Sequence, residues 1–202
     1  PIKPVLDGEP GYENHPHAFQ EKNGRIETIY VRKSCYWSLF SGAFGHTYGC
    51  NEVWQMWTPQ RKPRAYARLP WNEAIQLPGA GQMRHARTLI EEGNFFDRLP
   101  DPSLVVPPNT TGPDYIAACR SPQGRYALLY FPTGKPATVR THLLQGPTLA
   151  VQWFNPRTGE RTSAAPVSVA PWKTTTFQPP TPGEDWVLYL ATAAALPQEG
   201  KK

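Results

Sequence analysis

The sequence predicts an α/β segment followed by an all-β domain, and three observations carry that expectation. Apolar residues recur at helical spacing in two stretches before residue 100 and fall into short alternating runs after it. Leu99-Pro100-Asp101-Pro102 and Pro107-Pro108-Asn109 mark a shift of composition between the halves. Pro (24) and Gly (16) make up about a fifth of the 202 residues, which disfavours a helical bundle. The expected domains are 1–100 and 101–202.

In the first half, Pro4-Val5-Leu6-Asp7-Gly8 is a short apolar run closed by turn residues, as in a buried parallel strand. Residues 25–42 place Val31, Cys35 and Leu39 at helical spacing, flanked by Ile29 and Tyr36. Gly42 can close that helix in the left-handed region. The glycine-rich 43–49 reads as a second strand. Residues 79–92 set Met83, Ala86, Leu89 and Ile90 on one helical face, with Gly93 as the stop. The order is βαβα, and strands 4–7 and 43–47 are expected to pair in parallel. In the second half, seven strands are expected at 115–119, 125–131, 137–144, 149–154, 161–169, 173–177 and 186–192. The turns between them include Ser121–Gly124, Pro132–Gly134 and Asn155–Gly159. Short strands at hairpin spacing suggest an antiparallel sandwich.

Composition narrows the function. The net charge is only +5 and its basic residues are scattered, which argues against a nucleic-acid surface. No run of 18 apolar residues exists, so no transmembrane helix is expected. Cys35, Cys50 and Cys119 form neither a CxxC pair nor a disulfide framework, and the opening PIKPVLDGEP has no apolar leader core. His15, His17 and His46 match no closed zinc spacing, so neither metal nor other cofactor is expected. Phosphate-loop, dinucleotide and Gly-x-Ser-x-Gly signatures are absent.

In parallel α/β folds, chemistry gathers where strands end. Glu9 follows the first strand between Gly8 and Pro10, a rigid placement that suits a nucleophile approaching an anomeric carbon. An ordinary loop acid fits the same spacing. Asp7 and Glu13 are rivals, Asp7 as a member of a hydrogen-bond network and Glu13 as an orienter of a neighbour. Tyr12, Tyr48, Trp54 and Trp57 offer aromatic faces of the kind that stack on sugar rings, and each serves equally well as a core residue. His46 could bond a substrate hydroxyl or orient Glu9, and Gln55 stands beside Trp54. Glu9 is the catalytic candidate; Tyr12, His46, Tyr48, Trp54 and Gln55 are the substrate-binding candidates. If the two strand ends share a rim, Glu9 lies within one or two hydrogen bonds of His46 or Tyr48.

At these residues the sequence resembles a known family. KPVLDGEPGYEN (Lys3–Asn14), RKSCYWSLFSGAFGHTYG (Arg32–Gly49) and PGAGQM (Pro78–Met83) look like the C-terminal end of the apiosidase-like glycoside hydrolase domain. From about residue 101, RYALLYFPTG and VQWFNPRTGE resemble the small β domain that follows it, known as the collagen-binding domain of a collagenase. The resemblance covers nearly the whole chain and implies a (β/α)8 TIM barrel working with two carboxylates. It matches Glu9 to the catalytic glutamate after the seventh strand and makes GAFGHTYG the eighth. The acid/base carboxylate would come from an earlier strand outside these residues. The chain would then be a C-terminal fragment of a barrel followed by an antiparallel β-sandwich, inactive alone, with the missing N-terminal barrel strands as its partner. The implied substrate is a plant-type, pectic polysaccharide or oligosaccharide, and the implied location is secreted or periplasmic. A different class stays open: a non-catalytic carbohydrate- or polymer-binding module, for which Trp153, Trp172 and Trp186 are candidate faces and equally good core residues.

Overall fold

A computed structural model describes residues 3–92, 95–192 and 195. The chain divides into two compact units, Pro1–Leu39 with Ala43–Ala86, and Phe40–Gly42 with Arg87–Lys202. Among the described residues no helix is long and apolar enough to cross a membrane.

The first unit is built on one parallel strand pair. Strand β1 (Leu6–Asp7) leads through helix α1 (Thr28–Phe40) to β2 (Gly45–His46), with Leu6 opposite Gly45 and Asp7 opposite His46. Helix α1 buries Val31, Arg32, Cys35, Tyr36, Leu39 and Phe40, two adjacent rows repeating every four residues. It ends before Gly42, whose φ of 102° a residue with a side chain would adopt only under strain. The parallel path resumes beyond the β1 turn: Glu13 N–H donates to Gly49 C=O (2.8 Å), and Asn51 N–H donates to Glu13 C=O (3.1 Å). Two four-residue helices follow, α2 (Asn51–Trp54) and α3 (Trp71–Ala74), and then α4 (Pro78–Glu91). Of the apolar face expected for α4, Ala86, Leu89 and Ile90 are buried and Met83 is half-buried. The expected stop at Gly93 lies outside the described residues.

The second unit is antiparallel. Its strands are β3 (Leu99–Pro100), β4 (Ala117–Arg120), β5 (Tyr126–Phe131), β6 (Ala137–Val139), β7 (Thr148–Phe154), β8 (Arg161–Ser168), β9 (Thr175–Phe177) and β10 (Trp186–Ala191). Six form one sheet in the order β3-β4-β5-β10-β7-β8, and β6 pairs with β9 in a second. Alternation sets the core. From β10, Trp186, Leu188 and Leu190 enter one cluster with Leu129 and Phe131 of β5, Val151 and Trp153 of β7, Val139 of β6 and Phe177 of β9. The intervening Val187, Tyr189 and Ala191 are buried on the opposite face. Burying each large apolar side chain is worth about 1.5–3 kcal/mol, so this cluster supplies the main stabilisation of the unit.

The mixed segment and the antiparallel sheets match the expected fold class at this level, while one parallel pair is too little sheet to define a barrel. Three details differ. The expected strand 137–144 stops at Val139, and Thr141–Leu143 turns as a 3₁₀ helix because the chain leaves the sheet at Arg140. Leu99–Pro100 is an edge strand rather than a linker; an edge position leaves proline's missing N–H without consequence. The strand expected at 43–49 keeps only Gly45–His46 in regular pairing.

Candidate active site

Glu9 stands just past the end of β1, exposed, and its Oε1 accepts a hydrogen bond from Tyr12 Oη (3.3 Å). That contact and partial burial raise the Tyr12 phenol: loss of hydration acts first, then the Glu9 charge and hydrogen bond. Glu9 and Tyr12 line an open cleft of about 510 Å³ together with His15, Phe19, Trp54 and Arg64. Trp54, 60% exposed on α2, presents its indole to this cleft. The cleft thus combines one accessible carboxylate, one phenol, apolar ring faces and a guanidinium, a set suited to a polyhydroxylated ring.

Gln55 does not line this cleft. Its amide donates to Asn51 C=O (3.1 Å) and Arg64 C=O (3.0 Å), and its Oε1 accepts from Arg64 N–H (2.9 Å). It fixes the 64–65 segment that forms one wall. The partners expected for Glu9 are held by its neighbours instead. His46 Nδ1 donates to Asp7 Oδ2 (3.0 Å), which also accepts from Ser38 Oγ (2.6 Å). Ser38 and His46 both donate to one carboxylate oxygen, so these three are a network centred on Asp7 and not a nucleophile relay. The His46 side chain is 3% exposed and its Nε2 is buried without a hydrogen bond. Burial lowers the His46 pKa, and the Asp7 bond and charge oppose that only in part.

Tyr48 Oη donates to Glu13 Oε2 (2.5 Å). Burial, then the Glu13 bond, push the Tyr48 phenol far up, so it remains a donor. Glu13 is 2% exposed and also accepts from Thr28 Oγ1 and from Gly79 N–H (3.1 Å to Oε2). Its carboxylate therefore meets the first turns of both α1 and α4, where unpaired N–H groups and the helix dipoles favour negative charge. Gly79 is required here: a Cβ would lie 2.3 Å from Glu13 Oε2. Gly49 has a similar reason, since a Cβ would lie 2.3 Å from the Tyr12 ring.

A second buried carboxylate was not foreseen. Glu52 is fully buried and accepts from Asn14 Nδ2 (2.7 Å) and Arg68 N–H (3.2 Å), with Arg25 Nη1 at 3.9 Å. Arg68 Nη2 in turn donates to Asn14 Oδ1 (3.0 Å). This cluster braces the segment after Tyr12 from behind. The sequence signal was the one charged residue in the stretch Cys50-Asn51-Glu52-Val53-Trp54. Cys35 and Cys119 are buried, with their thiols pushed up to about 12 by lost hydration, and Cys50 is buried and free. Among the described residues no group of three His, Cys, Asp or Glu is placed to hold a metal ion.

Comparison with known proteins divides the chain between residues 97 and 99, beyond the Ala86–Arg87 boundary of the two units. Residues 1–97 match the family described as "Apiosidase-like, catalytic domain", and residues 99–191 match "Putative collagen-binding domain of a collagenase". A solved structure titled "Glycoside hydrolase" is 31% identical over 96% of this chain, with a TM-score of 0.90. A glycoside hydrolase family 5 structure from Bacteroides vulgatus is 29% identical over all of it, also at 0.90. This chain spans 43% of the length of each. No curated protein matches it significantly.

Proposed function

We propose, for a chain that belongs with the apiosidase-like glycoside hydrolases over residues 1–97 and carries a collagen-binding-type β domain over 99–191, that its cleft is half of a retaining glycosidase site with Glu9 as nucleophile. The observation that carries this is the placement of Glu9. It is the accessible carboxylate just past the end of β1, it accepts a hydrogen bond from the Tyr12 phenol, and it opens on a cleft lined with aromatic faces. The solved glycoside hydrolases at 31% and 29% identity support the carbohydrate substrate class. The apiosidase-like match supports a sugar of pectic side chains, and the (β/α)8 barrel as the scaffold in which β1 and β2 are neighbouring strands.

In this reading Glu9 attacks the anomeric carbon and displaces the leaving oxygen, which takes a proton from a second carboxyl group about 5 Å away. Water then hydrolyses the glycosyl ester, with that second group acting as base. Tyr12 holds the Glu9 carboxylate in line and its proton stays on oxygen throughout, since its pKa is raised. Trp54 stacks on a ring in the adjoining subsite.

Asp7 is committed to Ser38 and His46, and Glu13 to Thr28, Tyr48 and Gly79. Neither is placed as the proton donor, and in this reading the acid/base carboxylate comes from an earlier barrel strand, as the family resemblance implies. The 202-residue chain alone is then catalytically silent. The test is Glu9→Gln in a protein of the relatives' full length, assayed on aryl glycosides and pectic oligosaccharides beside the 202-residue chain. The substitution keeps size and polarity and removes the nucleophile, so turnover falls about 10⁴-fold or more. Near-normal turnover would remove Glu9 from catalysis. Turnover by the short chain would place the acid/base group within it.

A further inference from the structure

The β unit separates three tryptophans that the sequence left equivalent. Trp153 and Trp186 are buried in the core, whereas Trp172 is 86% exposed at the tip between β8 and β9. Its backbone sits at φ 61°, a left-handed conformation that a bulky residue adopts rarely and only where its surroundings hold it.

Those surroundings are rigid. The next residue, Lys173, donates its N–H to Ala170 C=O (3.0 Å). The Lys173 carbonyl accepts from His142 N–H (3.3 Å), from Thr141 Oγ1 (3.3 Å) and from His142 Nδ1 (2.9 Å), and Lys173 Nζ donates to Ser168 Oγ. Residues 141–142 and 168–170 thus hold the backbone next to the exposed indole. The His142 ring lies 5.9 Å from it at 50°, so the two rings form an open wedge. The His142 Nδ1–H is donated to a carbonyl, which leaves Nε2 as the ring nitrogen available to a ligand hydroxyl.

We infer that Trp172 and His142 form a carbohydrate-stacking platform on the β unit, separate from the Glu9 cleft and requiring nothing of its catalysis. The occupant is a neutral pyranose of a polysaccharide. A protein partner would call for a contiguous apolar patch, whereas the polar Lys173 and Thr174 follow Trp172 in the chain and the ring beside it is that of His142. A pyranose has the complementary make-up, an apolar C–H face for the indole and hydroxyls at its rim for His142 and Lys173. Because the backbone beside Trp172 is already held in place, stacking costs no backbone ordering.

The test uses the whole 202-residue chain in native gels cast with soluble xyloglucan, mixed-linkage β-glucan, arabinan or polygalacturonate, with wild type, Trp172→Ala, Trp172→Gly, Trp172→Phe and, as an exposed aromatic outside both sites, Phe44→Ala compared. At least one neutral glycan retards the wild type. Trp172→Ala and Trp172→Gly lose that retardation, with apparent affinity at least tenfold weaker, Trp172→Phe keeps part of it, and Phe44→Ala keeps it all. Trp172→Gly melts at or above the wild-type temperature, because glycine adopts φ 61° freely and the exposed indole packs little. The proposal is overturned if no neutral glycan retards the wild type, if Trp172→Ala is retarded as wild type is, if Phe44→Ala loses retardation as Trp172→Ala does, or if Trp172→Gly melts well below wild type. Each outcome is independent of whether Glu9 is a nucleophile.

Discussion

At the scale of single residues, carboxylates a few positions apart take unlike roles because the backbone aims them differently. Asp7, in β1, faces Ser38 of α1; Glu9, past the strand end, faces the cleft; Glu13, where parallel bridging resumes, faces inward to Tyr48 and Gly79. Spacing in the sequence identifies Glu9 as the strand-end acid and Glu13 as an orienter. It does not reveal that Glu13's backbone-donor partner is 66 residues away, since non-local pairing leaves no periodic trace. Glu13→Ala strands a hydroxyl pair and a helix N–H in a dry site, and should cost about 3 kcal/mol or more in urea unfolding, with Glu13→Gln costing clearly less. Equal losses, or none, would mean the carboxylate does not hold these elements. His46 gives a pH signature. Its folded pKa lies below the unfolded value of 6.5, so the unfolded chain binds more protons and stability falls as pH drops through that value. His85, lowered by burial and by Arg84, acts in the same sense. Between pH 7.5 and 5, His46→Gln should therefore show a shallower loss of stability than wild type; an unchanged slope would show that His46 does not contribute.

At the scale of elements, legibility followed length. Strands β4, β5, β7, β8 and β10 were readable because alternation over four to eight residues and explicit turns such as Asn155–Gly159 agree. Helices α2 and α3 have four residues each, barely one turn, so no periodicity announced them; Trp54 was a candidate by residue type and position alone, and the structure seats it on the cleft wall with Asn51. Helix α4 was legible by its apolar face, but that face says nothing of its glycines. One of them is a packing requirement, because Gly79 lets the helix N-terminus reach Glu13. Gly79→Ala would improve intrinsic helix propensity by about 1 kcal/mol if exposed. Here the methyl drives into the Glu13 carboxylate and the change should destabilise by about 1–3 kcal/mol. A rise in melting temperature would contradict the close approach.

At the scale of the molecule, the two units differ in how their stability is built. The principal apolar cluster runs from Leu104 to Leu190, wholly within the β unit, while the first unit leaves Val5, Leu6 and Phe44 exposed around its two short strands. Residues 97–202 expressed alone should give a β-type circular dichroism spectrum and one cooperative thermal transition; a non-cooperative melt would show that the cluster is not self-sufficient. The change of pattern near residue 100 separates a mixed stretch from an all-β one, the compact units divide earlier, between Ala86 and Arg87, and a single parallel pair carries only part of what a barrel site needs. The claim on which the functional account turns is that Glu9 forms the bond to sugar. The direct measurement is peptide mapping by mass spectrometry after a protein of the relatives' full length is treated with an activated 2-deoxy-2-fluoro glycoside of its substrate, which slows hydrolysis of the covalent intermediate. The account predicts a glycosyl adduct on Glu9, in the peptide spanning Lys3–Asn14, and none in Glu9→Gln. An adduct on Asp7, on Glu13 or on a carboxylate elsewhere would contradict it.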